Sequence, residues 1–174
     1  MKPMALLMIG MFALVAVPQA FGERTVLQPT AYQRVESGDQ TGAVYLVDFT
    51  LPQELAEAKI SRATLRYPAD CEEDGQTFYL KAAPGPWQGA GVDWQWWTSA
   101  QEGLEDAPET HAYAEDCENK AAALEVAPWV RAWAGGATQY GFVLMCPDSG
   151  KIPALAEGEG VTLTVTYRLD PEAD

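Results

Sequence analysis

Apolar and polar side chains alternate strictly along residues 161–167, and this pattern constrains the fold more than any other feature of the sequence. Val161, Leu163, Val165 and Tyr167 share one side of such a strand, and three threonines share the other. A period of two with many β-branched residues predicts a strand with one buried face. Weaker segments of this kind, separated by Gly, Pro and acidic turns, lie at 45–51, 60–67, 76–82, 92–96, 122–126 and 140–145. Short strands in this arrangement predict an all-β fold, namely a jelly-roll-like β-sandwich.

One short α-helix is expected within this sandwich, at about residues 128–133. Pro128 stands at its first turn, Trp129 and Trp133 follow four residues apart, and Gly135 and Gly136 come just after its end. Proline at the start and glycine after the finish is the usual asymmetry of helix ends. Both tryptophans are predicted to lie in the core. Residues 99–120 show no clear period and are predicted to form an acidic loop.

The first residues have the features of a secretory signal peptide. Lys2 supplies a positive start, an uncharged apolar run extends from Met4 to Val17, and Ala20 offers a small residue for cleavage. A spanning helix needs about 20 apolar residues, and this run is shorter. We therefore expect a signal peptide over 1–22 and a single β-sandwich domain over 23–174, secreted to an extracellular or periplasmic location, with no membrane span after cleavage.

The chain is strongly acidic, with 11 Lys and Arg against 25 Asp and Glu and a net charge of −14. Cleavage would also remove Lys2. Such a balance favours a well-solvated surface and argues against nucleic acid and anionic membranes as partners, because both would be repelled.

Three cysteines remain after the predicted cleavage, and in an oxidising compartment two of them are expected to pair. Cys117 precedes one predicted strand and Cys146 ends another, so antiparallel neighbours would bring them to the same end of the sandwich. A Cys117–Cys146 disulfide is the first choice, and Cys71–Cys117 is the alternative. With one histidine in the chain and no C-x-x-C spacing, an ordinary zinc site is not expected.

An acidic stretch at residues 70–74 is a candidate calcium site. Asp70, Glu72 and Asp74 alternate before Gly75, as the oxygen ligands of a calcium loop do. The twelfth position is Lys81, so the segment is not an EF-hand. A solvated turn explains the same residues, and no cofactor other than a calcium ion is proposed for the chain.

Catalytic motifs are not evident. The single histidine, His111, has no neighbouring nucleophile motif, and no serine stands in a nucleophile elbow. A phosphate-binding glycine loop is also missing. With 25 acidic residues some close pair is inevitable, so paired carboxylates are no evidence for glycoside hydrolysis. We expect a protein that is not an enzyme.

Six tryptophans are a high number for one domain, and three of them cluster at residues 94–97. In a strand Trp94 and Trp96 would share one face and Trp97 would lie on the other. Exposed tryptophan rings stack against the apolar faces of sugars, whereas buried ones anchor a core. Trp96 and Trp97 are predicted to be the exposed pair and are the candidate ligand-binding residues.

Several segments, in order, resemble the DNRLRE-domain family of secreted bacterial β-sandwich modules. They are 46–52 (LVDFTLP), 59–66 (KISRATLR), the tryptophans at 87 and 94, 124–133 (LEVAPWVRAW), 139–144 (QYGFVL) and 161–167. The helix-and-strand pattern is also similar to that of transforming-growth-factor propeptides. The resemblance implies a secreted sandwich module, and some members of the family look like polysaccharide-binding modules.

The sequence thus favours a secreted, non-catalytic binding module, with carbohydrate as the leading ligand and a polysaccharide or cell-surface protein as partner. An exported structural or assembly protein that acts through protein–protein contacts is the alternative. A glycan hydrolase is a distant third.

Overall fold

The computed structural model describes residues 22–37, 43–68, 77–88, 92–102, 109–113, 121–145 and 159–169. Within these ranges the chain forms strands β1 (Glu23–Leu27), β2 (Ala31–Glu36), β3 (Ala43–Asp48), β4 (Ala58–Pro68), β5 (Thr77–Ala82), β6 (Glu109–Tyr113), β7 (Ala121–Glu125), β8 (Phe142–Met145) and β9 (Thr162–Leu169). Two α-helices accompany them, α1 (Trp94–Gln101) and α2 (Ala127–Ala134), with a short 3-10 helix at Gln53–Ala56. None of the helices in the described ranges has the length and apolar character needed to cross a membrane.

The strands form two antiparallel sheets. Sheet A has the order β1-β9-β4-β7, and sheet B has the order β2-β3-β8-β5-β6. The chain crosses repeatedly from one sheet to the other, and the last strand inserts between β1 and β4, as in a jelly roll. The predicted all-β sandwich is therefore confirmed.

The main core lies between the two sheets. The strictly alternating strand β9 contributes Leu163, Val165 and Tyr167, which face Leu144 of β8 and Tyr45 of β3 in the same buried cluster. The threonines between them are half-buried on the opposite face of sheet A. One face of sheet A therefore packs on sheet B, and its other face is available for function.

Three tyrosines form a polar element within this core. Tyr45 and Tyr67 are fully buried, with ring centroids 5.7 Å apart. The hydroxyl groups of Tyr67 and Tyr32 are joined by a hydrogen bond of 3.2 Å. Burial is the main cause that raises the pKa of Tyr67 far above its usual range, and the hydrogen bond with Tyr32 adds to it.

Sheet B also buries part of its outer face. Val44, Leu46 and Val143 project away from the main core and form a second apolar cluster with Trp87 and Trp97. Helix α1 and the segment before it supply this cover. The carboxylate of Asp93 accepts a hydrogen bond of 2.8 Å from the backbone N–H of Trp96, and this N-cap begins α1.

Helix α2 lies at one side of the sandwich, where its apolar face joins the main core. Val130 and Trp133 are buried, and the ring of Trp133 lies 4.7 Å from that of Phe142. On the other side of the helix, the Arg131 guanidinium donates hydrogen bonds to the carbonyls of Ile60 and Ser61, at 2.9 and 3.0 Å. The register of β4 against β9 shifts at this point, so Arg131 satisfies carbonyls of an irregular stretch of strand.

The structure confirms the helix predicted after Pro128 but corrects three other expectations. Residues 92–96, predicted to be a strand, belong mostly to α1, so the described part of the chain has two α-helices instead of one. The predicted loop at 99–120 contains β6. Strands β1 and β2 were not predicted, because their alternation of polar and apolar residues is weak.

Candidate functional site

Several residues proposed from the sequence lie outside the described residues. These are the candidate calcium ligands Asp70, Glu72 and Asp74, and the cysteines Cys71, Cys117 and Cys146. The calcium site and the disulfide pairing therefore stay predictions. Among the residues that are described, no group of His, Cys, Asp and Glu side chains is arranged to hold a metal ion.

The predicted tryptophan pair is separated by the helix that contains it. Trp97 is only 4% exposed and packs in the cluster on sheet B, so the prediction that it is exposed is wrong. A helix rotates consecutive residues by about 100°, and an amphipathic helix buries one of two neighbours. Trp96 is half-buried and lines an open depression of about 470 Å³ with Asp93, Gln95 and Ser99. Of the two candidate ligand-binding residues, Trp96 is therefore the one that a ligand can reach.

A second depression, of about 290 Å³, opens at the end of β3. It is lined by Asp48, Trp87, Gln88, Gln139 and Tyr140, together with Pro86. We call it the Asp48 pocket. Its lining comes from the last residue of β3, from the segment after β5 and from the segment before β8, which meet because β3, β8 and β5 are adjacent in sheet B. Sequence reasoning missed this site, since its residues are far apart in the chain.

Asp48 organises the polar side of this pocket. One carboxylate oxygen accepts hydrogen bonds from the Phe49 backbone N–H at 2.9 Å and from Nε2 of Gln139 at 2.8 Å. The other oxygen accepts from Nε2 of Gln88 at 2.5 Å. Gln139 Nε2 also donates to the Phe49 carbonyl. Both glutamine side chains are thus held by their amide nitrogens.

These bonds fix the direction of the two amide groups. A carboxylate can only accept, so each glutamine must turn its Nε2 towards Asp48 and its Oε1 away from it. Within the described residues, no donor reaches either Oε1. The pocket therefore presents hydrogen-bond acceptors to an incoming ligand, namely two amide oxygens and the remaining capacity of the carboxylate.

The aromatic side of the pocket is rigid. Trp87 is 2% exposed, and its Nε1–H donates to the Tyr140 carbonyl at 2.6 Å, so its ring anchors the wall. Tyr140 is half-buried and packs at the edge of the sheet B cluster. Gly141 follows with φ +81° and lies so close to β3 that a Cβ atom would come within 2.3 Å of the Val47 carbonyl oxygen. Glycine at this position lets the pocket segment approach the end of β3.

The arrangement can bind a ligand, but it lacks the parts of a paired-carboxylate reaction. Among the described residues that line the pocket, Asp48 is the one carboxylate. Glycoside hydrolysis by the usual mechanism needs two carboxyl groups about 5–9.5 Å apart across the scissile bond. The described lining therefore offers hydrogen-bonding groups and aromatic rings, with one carboxylate among them.

Two comparisons with known proteins gave no match for this chain. No protein-family model matches it, and a search of curated proteins found none with significant similarity.

Proposed function

We propose that the protein is an exported, non-catalytic binding module whose ligand is a carbohydrate, bound at the Asp48 pocket. The observation that carries the proposal is that Gln88 and Gln139 both donate through Nε2 to the Asp48 carboxylate, which leaves their Oε1 atoms as acceptors. Sugars present many hydroxyl donors in fixed positions, and amide and carboxylate oxygens are the acceptors with which such donors pair. The signal-peptide-like start of the sequence and the resemblance to secreted sandwich modules support the same proposal.

The shape of the pocket suits the end or one unit of a glycan. Its volume of about 290 Å³ is close to the lower limit of about 300 Å³ for small-molecule sites. Tyr140 contributes an aromatic ring to the lining, and Gln88 and Gln139 contribute amides. An apolar sugar face can therefore pack on an aromatic ring while its hydroxyl groups reach the acceptors.

Trp96 provides a second contact on the same module. It lies in a more open depression than the Asp48 pocket, and the side chains around it are Asp93, Gln95 and Ser99. A half-buried indole beside polar groups is a suitable stacking surface for a sugar ring. Trp96 is therefore proposed as a second contact, separate from the Asp48 pocket, and it packs against the buried cluster that contains Trp97.

Affinity electrophoresis in gels that contain soluble neutral polysaccharides would test the proposal, followed by titration calorimetry with the oligosaccharide of any polymer that retards the protein. Gln88→Ala removes an acceptor at an exposed position and should weaken binding about tenfold. Gln53→Ala, on the exposed side of the 3-10 helix, is its matched control and should bind normally.

A second pair of variants separates stacking from folding. Trp96→Ala should reduce retention, and Trp129→Ala, which alters an equally half-buried tryptophan on α2, should not.

Normal mobility in every neutral glycan gel would overturn the carbohydrate assignment. Equal effects of Gln88→Ala and Gln53→Ala would remove the Asp48 pocket as the site. Light scattering of the unliganded protein tests the alternative of an assembly protein, for which a concentration-dependent mass is expected.

A further inference from the structure

The outer face of sheet A has an unusual charge for this chain. Residues that pair directly across antiparallel strands share a face, so the outward side of β9 continues onto its neighbours β1 and β4. The charged side chains on this face, among the described residues, are five cations and one carboxylate: Arg24, Lys59, Arg62, Arg66, Arg168 and Glu125. The whole chain has 11 Lys and Arg against 25 Asp and Glu. Cations are therefore concentrated on one side of an acidic protein.

The register shows how these cations are placed. Thr166 of β9 pairs with Arg24 on one side and with Arg62 on the other, so the backbone positions of two arginines flank one threonine. Strands lie about 4.8 Å apart, which places the Cα atoms of the two arginines about 10 Å from each other. Arg66 follows Arg62 on the same face, about 13 Å along the strand at a rise of about 3.3 Å per residue. The result is a face on which cationic residues and threonines occupy neighbouring positions.

Part of this face brings like charges together. Lys59 and Arg168 are directly opposite each other on neighbouring strands, and like charges in that position are destabilising. Glu125 approaches Arg62 at 3.4 Å, but both side chains are exposed, so this ion pair contributes little. Local features that lower stability without a structural gain are typical of functional sites.

One end of the face is concave. A depression of about 740 Å³ lies at the irregular stretch of β4, and its lining includes Lys59, Ser61, Arg131, Thr166 and Arg168. The Arg131 guanidinium is already fixed by two carbonyls of β4, so little side-chain entropy remains to be lost when it binds a ligand. Its remaining N–H groups are available to an oxyanion in addition to those two bonds.

We propose that the outer face of sheet A binds a polyanionic glycan, with one acid group of the polymer in the depression beside Lys59, Arg131 and Arg168. The acid group is an oxyanion, either a carboxylate or a sulfate ester, which guanidinium and ammonium groups recognise by charge-assisted hydrogen bonds. The threonine hydroxyls between the cations can bond to the sugar hydroxyls.

Two other occupants fit less well. Two copies that met face to face about a twofold axis would place cations against cations. Duplex nucleic acid carries a charge about every 1.7 Å and would also approach the acidic remainder of the chain, which repels it. A single glycan strand is narrow enough to stay on the face. Charges beyond the Debye length of about 8 Å at physiological ionic strength have little influence there, so the net charge of −14 does not prevent binding.

The inference does not depend on the Asp48 pocket, because that site belongs to sheet B and takes neutral groups. Affinity electrophoresis with polygalacturonate, dextran sulfate and neutral dextran at low and high salt would test it. We expect retention by at least one of the two polyanions and a steep loss of that retention with added salt, whereas any retention by dextran, through the Asp48 pocket, should not depend on salt. Comparing the two polyanions distinguishes a carboxylate from a sulfate ligand.

Two double variants test the location. Arg62→Gln with Arg66→Gln should weaken polyanion binding about tenfold, because two charge-assisted contacts are lost. Arg34→Gln with Lys81→Gln makes the same change in net charge on sheet B and should leave binding intact. If the first variant does not fold, Lys59→Gln with Arg168→Gln tests the depression instead and removes the like-charge pair.

Several results would overturn the inference. Failure of both polyanions to bind, or equal losses in the two double variants, would show that the face is not a docking site. Tighter binding of duplex DNA than of either glycan would assign the surface to nucleic acid. A dimer that the Arg62 and Arg66 substitutions dissociate would assign it to a second copy of the chain. Loss of neutral-glycan binding alone would refute the Asp48 pocket and leave this inference intact.

Discussion

Gly141→Ala is the sharpest test of how the Asp48 pocket is built. Gly141 has φ +81°, and an added Cβ atom would lie 2.3 Å from the Val47 carbonyl oxygen and 3.0 Å from the Asp48 Cα. All the atoms in these contacts belong to the backbone, so no side-chain rotation can relieve them. The strand β3 and the segment before β8 would have to move apart.

The magnitude follows from separate contributions. A residue with a side chain at positive φ costs about 1–2 kcal/mol. Movement of Gly141 would also weaken the 2.8 Å hydrogen bond that its carbonyl accepts from the Ala83 N–H, at about 1 kcal/mol. With the loss of packing at the end of β3, we expect the free energy of unfolding to fall by about 3–5 kcal/mol.

Gly136→Ala is the matched control. Gly136 has φ +95°, but an added Cβ would meet no atom within 4 Å. This variant isolates the cost of positive φ and should lose only about 1–2 kcal/mol. Urea unfolding followed by tryptophan fluorescence measures both values, provided that the dependence on urea concentration is unchanged. If Gly141→Ala loses no more stability than Gly136→Ala, the reasoning about close approach is refuted.

Two further predictions concern the two clusters. Trp97→Ala should lower the free energy of unfolding by about 3–5 kcal/mol because it removes a buried ring from the sheet B cluster, and Trp96→Ala should lower it distinctly less because Trp96 is half-buried. Equal losses of stability for the two variants in thermal unfolding would contradict the assignment of α1. Stability should also fall above about pH 10, by about 1.4 kcal/mol per pH unit for each tyrosine that ionises only on unfolding. Burial raises the pKa of Tyr67 in the folded protein, so as the pH rises this tyrosine loses its proton in the unfolded chain before it does so in the folded one. The stability that Tyr67 contributes is therefore fully present below about pH 10 and declines above it. Urea titrations from pH 8 to 11 should show this slope, and Tyr67→Phe should reduce it; an unchanged slope in that variant would sink the explanation.

The sequence indicated those elements whose pattern is set locally. Strand β9 alternates strictly because one face packs in the core and the other carries threonines, so its period of two is visible in the sequence. Helix α2 has Pro128 in its first turn and Gly135 after its end, and both ends are therefore marked by residue type. These elements were predicted correctly because local chemistry and tertiary packing agree.

The start of helix α1 was predicted as a strand because Trp94 and Trp96 are two residues apart, as in the two-residue period of a strand. Over so few residues this spacing does not exclude the 3.6-residue period of a helix. Two signals favoured the helix. Asp93 is a suitable N-cap, and its carboxylate does accept from Trp96. Strand β3 also reads Val44-Tyr-Leu-Val47, an unbroken apolar run that indicates burial on both faces. A covering element was therefore needed on sheet B, and α1 provides it.

The candidate sites could not be predicted, because they depend on the order of strands in the sheets. Asp48 bonds to Gln88, 40 residues away, and to Gln139, 91 residues away. The cationic face likewise joins β1, β4 and β9, and only their pairing reveals that Arg24 and Arg62 flank one threonine. The net charge of the chain argues against anionic partners. A net charge does not show, however, that the positive residues are concentrated on one face.

The pairing of β1 with β9 determines how the domain responds to mechanical tension. The start of β1 is next to the end of β9, since Glu23 pairs with Tyr167 and Leu27 with Leu163. Strand β1 is also at the edge of sheet A, so β9 is its one neighbour there. A pulling force applied between Gly22 and Leu169 would load the backbone hydrogen bonds of this ribbon one after another, starting at Glu23, instead of all together. The domain should therefore yield at low force by peeling of β1, while the rest of the sandwich stays folded.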